Sequence, residues 1–474
     1  MQIIHVAAEC YPAAKVGGLG DVVGALGKYL NLSGHRGSVI LPMYNTKYIS
    51  NHSWELVFTS IAQLGIGDIE YRIFTDPLHT LGYELFLVDI KGLLDRDQVY
   101  GYEDDSTRFI AFQTAALDWI SKSEQKPDLI NVHDHHAALI PFMMQHCPCF
   151  SDLKNIPTVL TIHNGQYQGV MEWGNSVVIP KWDSWRWGLL DWNKLINPLA
   201  SGIRCASRVT TVSQGYLKEL RHRSNGLETL FEMGWHKCRG ILNGIDTEVW
   251  NPEKDKALAQ TYTERNSEIG KYKSKKILCE QFNLDLEKPL FVFIGRLVGE
   301  KAADLLPQSL INSFHKIGRK MNFLILGSGQ TEIENELNYL KQFSQNDYNA
   351  YIGYNEDLSH LMYAGADFIL MPSRVEPCGL NQLYAMRYGT IPVVNNTGGL
   401  HDTVMDIGEP NGYGIKMSHA SENEIIFSIY RAMECYADKE KLKQVIKQIM
   451  QLDFSWDKSI HNYIDLYESL ILKN

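Results

Sequence analysis

Short apolar runs alternate with longer amphipathic stretches along most of this chain. Residues 3–8 are apolar except for His5 and are of strand length. Residues 21–32 place Val22, Val23, Leu26, Tyr29 and Leu30 on one helical stripe. A second strand is expected at 37–41, closed by Pro42. Others are expected at 85–88, 129–132, 158–162 and 208–212, with a helix at 107–121. The alternation stops near residue 250, and the charged stretch 253–276 reads as an inter-domain connection with some helix. It resumes with strands at 290–294, 322–326, 349–352, 368–371 and 392–394, separated by helices that include 309–316, 331–343 and 380–388. Such alternation builds a mostly parallel sheet covered on both faces. The pattern predicts an α/β protein of two doubly wound, Rossmann-like domains, 1–250 and 251–454, facing across a deep cleft. A last helix over 455–474, with Trp456, Ile460, Tyr463, Ile464 and Tyr467 on one stripe, is expected to pack back on the first domain.

A length of 474 residues suits two such cores. The net charge of −10 argues against a nucleic-acid partner, which would need a basic face. The eight cysteines are scattered and form no pair of CxxC motifs. That pattern indicates neither a zinc site nor a disulfide framework, and it points to a reducing compartment. The chain has no membrane-length apolar run and no basic-then-apolar leader. A cytoplasmic protein with no membrane partner is therefore expected.

In doubly wound sheets ligands bind beyond the carboxyl ends of the strands, so the chemistry is sought in the strand-to-helix loops. The first loop carries Lys15, Gly17 and Gly18 ahead of Asp21. Paired glycines let backbone approach a ligand, and their N–H groups with the next helix N-terminus favour an anion such as a diphosphate. A glycine-rich turn with a solvated lysine is the plain alternative. The dinucleotide pattern G-x-G-x-x-G is absent, which counts against a nicotinamide enzyme. His133-Asp134-His135-His136 follows the strand at 129–132. Four consecutive side chains point in different directions, so no metal is expected there. Thr161-Ile162-His163-Asn164 opens a third polar loop that runs to Tyr167-Gln168-Gly169. The segment 171–192 holds Trp173, Trp182, Trp185, Trp187 and Trp192, which either line a sugar-binding groove or pack as a flap. Asn243-Gly244-Ile245-Asp246 signals a turn.

In the second half, Arg296 and Lys301 straddle the turn after 290–294 and could grip one diphosphate. Gly353-Tyr354 follows another strand. The run from Met371 through Glu376, Cys378, Gly379 and Leu380 leads from a strand into a helix whose N-terminus would favour a phosphate. Glu376 suits sugar hydroxyls. Cys378 is either a small buried hydrophobe or a thiol activated by the helix N-terminus. Gly398-Gly399-Leu400 is a further glycine-rich loop.

Taken in order, these motifs resemble the bacterial glycogen and starch synthases, retaining glucosyltransferases of the GT-B architecture. Lys15-Val16-Gly17-Gly18-Leu19 is similar to the family's K-x-G-G-L. Residues 133–136 resemble H-D-W-H, with His135 in place of tryptophan. Thr161 to Gly169 resembles T-x-H-N…Y-Q-G, and Asn243-Gly244-Ile245-Asp246 resembles N-G-[IV]-D. Gly295-Arg296-Leu297 through Lys301 resembles G-R-L-x-x-x-K-G, with Ala302 in place of the last glycine. Thr397-Gly398-Gly399-Leu400 resembles T-G-G-L. The resemblance implies that His163, Arg296, Lys301 and Glu376 are catalytic. It implies donor contacts from Lys15, Gly17, Gly18, Asp21, Asn243, Cys378, Gly379, Leu380, Gly398 and Gly399. Asp134 and Asn164 would join the sugar site, and Gly353 and Tyr354 the nucleobase. Related transferases carry a second glutamate eight positions after the first; here that position is Tyr384, as in the glycogen and starch synthase branch.

The implied reaction moves glucose from ADP-glucose to the non-reducing end of an α-1,4-glucan (glycogen or a malto-oligosaccharide) with retention. UDP-glucose is the alternative donor. A retaining scheme with two carboxylates needs them about 5 Å apart. No second carboxylate is evident beside Glu376, so same-face substitution is expected, with neither a metal nor pyridoxal phosphate as cofactor. The rival readings are an inactive carbohydrate-binding protein on the same scaffold and a pyridoxal-dependent glucan phosphorylase.

Overall fold

The computed structural model describes residues 1–472 and divides the chain into two compact units. The first is Met1–Gly244 together with the segment from Trp456 onward; the second is Ile245–Ser455. The expected 455–474 segment ends on two residues outside the described range.

The first unit is built on a nine-stranded sheet in the order Cys238–Gly240, Arg208–Thr211, Thr158–Ile162, Leu129–His133, Gln2–Val6, Arg36–Pro42, Glu84–Asp89, Gly67–Thr75, Glu55–Leu64. The first seven strands pair in parallel. Helices cover both faces, so most of these strands read as nearly continuous apolar runs, Arg208–Thr211 and Cys238–Gly240 excepted. The last two strands form an antiparallel hairpin that the hydrophobic pattern did not predict. Leu56, Val57 and Ile61 on its outer strand are exposed, which erases the period-two alternation that marks a half-buried strand.

The terminal helix Trp456–Ile471 buries Trp456, Ile460, Tyr463, Ile464 and Tyr467 against Ile3, Val22, Leu26 and Tyr29 of the first unit. Trp456 stacks on Tyr29 with ring centroids 6.3 Å apart. The Tyr467 hydroxyl donates to Asn131 Oδ1 at 2.6 Å inside the sheet.

The second unit carries a six-stranded, all-parallel sheet ordered Tyr348–Ile352, Asn322–Gly327, Leu290–Ile294, Phe368–Met371, Ile391–Asn395, Ile415–Met417. Two expectations are corrected here. The unit begins at Ile245, not 251, and ends at Ser455, not 454. Ile245 N donates to Phe454 O at 2.9 Å and bridges Ser455, so both chain crossings are tied together within this unit. The stretch 253–276 is also an integral part of the unit rather than a connection. Tyr262 is buried and donates to Tyr388 O at 2.8 Å. On the helix Ser267–Phe282, Lys271 Nζ reaches Ala364 O at 3.0 Å, Ala366 O at 2.8 Å and Thr390 Oγ1 at 2.9 Å. Lys275 Nζ reaches Asp367 at 2.9 Å. These lysines are buried by carbonyl and carboxylate partners that hydropathy does not register.

Candidate active site

The expected site residues of the first unit gather at the carboxyl ends of neighbouring strands. The helix after the first strand begins at Gly18, three residues earlier than its apolar stripe suggested, with Gly17 as N-cap. Lys15 Nζ lies 2.8 Å from Asp21 Oδ1, so the expected phosphate cation is paired with the first turn of the helix that follows its loop. The N–H groups of Val16 and Gly17 donate to Glu9 Oε2 at 2.6 and 2.8 Å. Glu9 is buried, and its other oxygen accepts from Tyr100 at 2.7 Å. The cradle expected of this loop is thus partly occupied by an internal carboxylate. In the sequence Glu9 carries no signal beyond being an acidic side chain just after an apolar strand end.

A second buried carboxylate does the same for the next loop. Asp134, in the left-handed region at φ 53°, accepts from His163 N at 2.7 Å and Asn164 N at 3.4 Å. Burial pushes its carboxyl up to about 7. Asp134 therefore shapes the loop that carries His163 and Asn164. The four residues 133–136 do not all diverge as expected: the His135 and His136 rings lie 3.6 Å apart between centroids. His133 points to His163 with Nδ1–Nε2 at 2.9 Å, His135 Nδ1 lies 3.1 Å from Tyr167 O, and His136 stacks on Tyr100. Among the described residues no group of three or more His, Cys, Asp or Glu is arranged to hold a metal ion. Asn243 is buried, with Oδ1 unpartnered. In the tryptophan-rich segment, Trp173 donates to Asp191 at 3.0 Å and Trp192 to Gly226 O at 2.9 Å, as in a packed flap, while Trp185 is 89% exposed.

In the second unit, strands Leu290–Ile294 and Phe368–Met371 are neighbours, and their loops bring the expected residues together. Lys301 Nζ lies 2.7 Å from Glu376 Oε1, and Ser373 Oγ donates to Glu376 Oε2 at 2.8 Å. The Glu376 carboxylate is buried and held at both oxygens. Arg296 is half exposed and meets Glu300 Oε2 at 3.4 Å; Glu300 also lies 3.8 Å from Lys301. Glu300 and Ser373 lie inside these two motif stretches, but at positions the motifs leave variable or assign no role, so the sequence alone does not single them out. Ala302 adopts φ 53°, the left-handed conformation that favours glycine.

The glycine loop at 398–399 packs on the backbone that carries Glu376. Gly399 N donates to Glu376 O at 3.0 Å. A Cβ on Gly398 would lie 2.0 Å from Glu376 O, and one on Gly399 2.0 Å from Cys378 O. These glycines let the loop pack on the 376–378 backbone and fix Glu376, Cys378 and Gly379 in place. Cys378 and Gly379 are buried, whereas Tyr354, after Gly353, is 76% exposed and reaches Glu356 at 2.9 Å. Leu380 caps the helix Asn381–Arg387.

Family models match both halves: a starch synthase catalytic domain over residues 2–233 and the glycosyl transferases group 1 over 274–449. The chain is 50% identical over 471 residues to a glycogen synthase of Flavobacterium johnsoniae, covering 99% of each. The chain belongs to the glycogen and starch synthase family. A glycogen synthase of Hydrogenobaculum is 37% identical over 99% of this synthase and 98% of its own length. Among solved structures, the catalytic domain of starch synthase IV from Arabidopsis thaliana, bound to ADP and acarbose, matches with a TM-score of 0.91 at 31% identity over 99% of both chains. A sucrose-phosphate synthase from Thermosynechococcus elongatus matches with a TM-score of 0.65 at 17% identity and shares the fold. The synthase is thus a glycosyltransferase of the GT-B fold. Tyr384 is core: it is buried and stacks on Trp250 at 3.8 Å between centroids. No helix among the described residues is long and apolar enough to cross a membrane.

Proposed function

We propose that this synthase transfers glucose from ADP-glucose to the non-reducing end of an α-1,4-glucan with retention of configuration. The observation that carries this reading is the cluster of Arg296, Lys301 and Glu376 at the ends of two adjacent parallel strands. Cleaving a nucleotide-sugar requires a stabilised diphosphate leaving group, and preorganised cations supply that stabilisation best in a water-poor site. Arg296 and Lys301 take the phosphates. Glu376, fixed by Lys301 and Ser373, holds hydroxyls of the transferring glucose, and His163 contacts the same sugar. Lys15, Gly17, Gly18, Asp21, Asn243 and the loops at 378–380 and 398–399 support the donor, and Tyr354 the base. The relative bound to ADP and acarbose supports the adenine nucleotide and a glucan acceptor.

Lys301 and Ser373 each occupy one lone pair of the Glu376 carboxylate, which leaves the others to accept sugar hydroxyls, so Glu376 is read as a sugar ligand rather than a nucleophile. The C1–O bond to the phosphate breaks and the C1–O4 bond forms on the same face. The departing phosphate oxygen takes the proton of the acceptor O4. No metal or other cofactor enters this scheme, and turnover is expected to persist in a chelator. The eight cysteines are all free, which accords with a cytoplasmic location.

The deciding measurement is turnover with ADP-glucose against UDP-glucose, with glycogen as acceptor. Faster extension from ADP-glucose is expected. Exclusive use of UDP-glucose would overturn the donor, inertness towards both would leave a binding protein, and a trapped covalent glycosyl-enzyme would sink the same-face step.

A further inference from the structure

Three buried histidines lie in line across the sheet of the first unit. His5 is on Gln2–Val6, His133 ends Leu129–His133, and His163 follows Thr158–Ile162; these strands are neighbours. His5 Nδ1 lies 3.0 Å from His133 Nε2, and His133 Nδ1 lies 2.9 Å from His163 Nε2. Burial lowers His5 and His163 to about 3 and His133 well below its ordinary value, so all three rings are neutral near pH 7.

A neutral imidazole has one N–H and one bare nitrogen, so the two hydrogen bonds can run in either of two directions. If they run inward from His163, every proton sits on Nε2 and the relay ends on a His5 Nε2–H. That atom is buried and has no hydrogen-bond partner. The Tyr467 ring is the aromatic neighbour, edge-on at 6.5 Å, and its hydroxyl donates to Asn131 instead. A buried N–H without an acceptor is rarer and more costly than a bare acceptor nitrogen. If the bonds run outward, every proton sits on Nδ1. His5 donates to His133, His133 donates to His163, and the unpartnered His5 Nε2 is a bare lone pair.

We infer that His5 and His133 are positioning residues that lock His163 in the Nδ1–H tautomer, so that His163 meets its ligand as a hydrogen-bond donor. This rests on the reading that His163 contacts the transferring sugar. It has a chemical consequence for that reading. His163 Nε2 already accepts from His133 and Nδ1 already carries a proton, so His163 has no free basic nitrogen. It donates to a substrate oxygen and does not deprotonate the acceptor, which leaves that proton to the departing phosphate.

The test is direct nitrogen NMR of the full chain labelled with 15N-histidine, near pH 7.5. Protonated Nδ1 and bare Nε2 are expected for His5, His133 and His163; a His163 ring protonated at Nε2 would overturn the inference. Kinetics supply the second arm. H133F removes the donor to His163 and is expected to lower kcat roughly tenfold to a hundredfold, with donor KM changing far less. H133N, whose side-chain amide can still donate to His163 Nε2, is expected to recover most of that loss. A folded H133F at wild-type kcat would overturn the inference, as would an H133N no better than H133F. The NMR arm uses the unmodified chain, so it decides even where a variant fails to fold. Three Nδ1–H rings in a chain inert towards ADP-glucose would support the relay while overturning the donor reading.

Discussion

Arg296 is the cation whose effect is most separable from structure. Its side chain is half exposed and pairs only loosely, at 3.4 Å, with Glu300. In the proposed reaction its charge partner develops as the diphosphate departs, so its contribution there is larger in the transition state than in binding. Arg296→Ala is expected to lower kcat about 100- to 1000-fold while raising donor KM much less. Steady-state kinetics with varied ADP-glucose would check this; a pure KM effect would remove Arg296 from the catalytic role. Ala302 offers a stability test at the neighbouring loop. A residue with a Cβ is strained at φ 53°, so Ala302→Gly is expected to stabilise the protein by about 0.5–1 kcal/mol with activity retained. Urea denaturation measures it. Arg296, Lys301 and Glu376 were all legible as motif residues. Glu9, Ser373 and Glu300 were not, because a side chain that acts by holding another residue's backbone or carboxylate leaves no pattern in a single sequence.

Elements were read well where burial matched hydropathy and poorly where it did not. The parallel strands stood out because both faces are covered, except the three-residue edge strands Cys238–Gly240 and Ile415–Met417, which are too short to show a pattern. The edge hairpin and the helix Ser267–Phe282 did not, one because Leu56, Val57 and Ile61 of its outer strand are exposed and the other because Lys271 and Lys275 are buried. The terminal helix Trp456–Ile471 carries a clear stripe, and only the structure shows what the stripe covers. Trp456 is buried against Tyr29 and the core around Ile3 and Leu129. Trp456→Ala is expected to cost about 3–5 kcal/mol. Denaturant unfolding followed by far-UV circular dichroism would show it; a change below about 1 kcal/mol would mean that the helix contributes little to the first unit.

For the molecule as a whole, the buried histidines set the acid limit. His5 and His163 are lowered to about 3, His135 to about 4, and His133 and His136 well below 6.5, each chiefly by burial. Below pH 6.5 the unfolded chain takes up protons on these rings and the folded chain does not. Stability therefore falls as pH falls, by up to about 1.4 kcal/mol per ring for each pH unit. Asp134 opposes this: raised to about 7, it binds its proton in the folded state at a pH where the unfolded chain has released it. One such group against five rings leaves the net sign unchanged. The urea midpoint is expected to be lower at pH 5.5 than at pH 7.5; an equal or higher midpoint would show that the rings are charged or solvated when folded. The architecture, the strand ends and the cations at them were written in local pattern, because periodicity, glycine and charge act within a few residues of one another. The partners of those groups were decided only by the folded chain. Lys15 on Asp21, Gly17 on Glu9, Gly399 on Glu376 and His5 in line with His163 each join residues through space, and the direction of a proton along three rings depends on which buried atom is left without an acceptor.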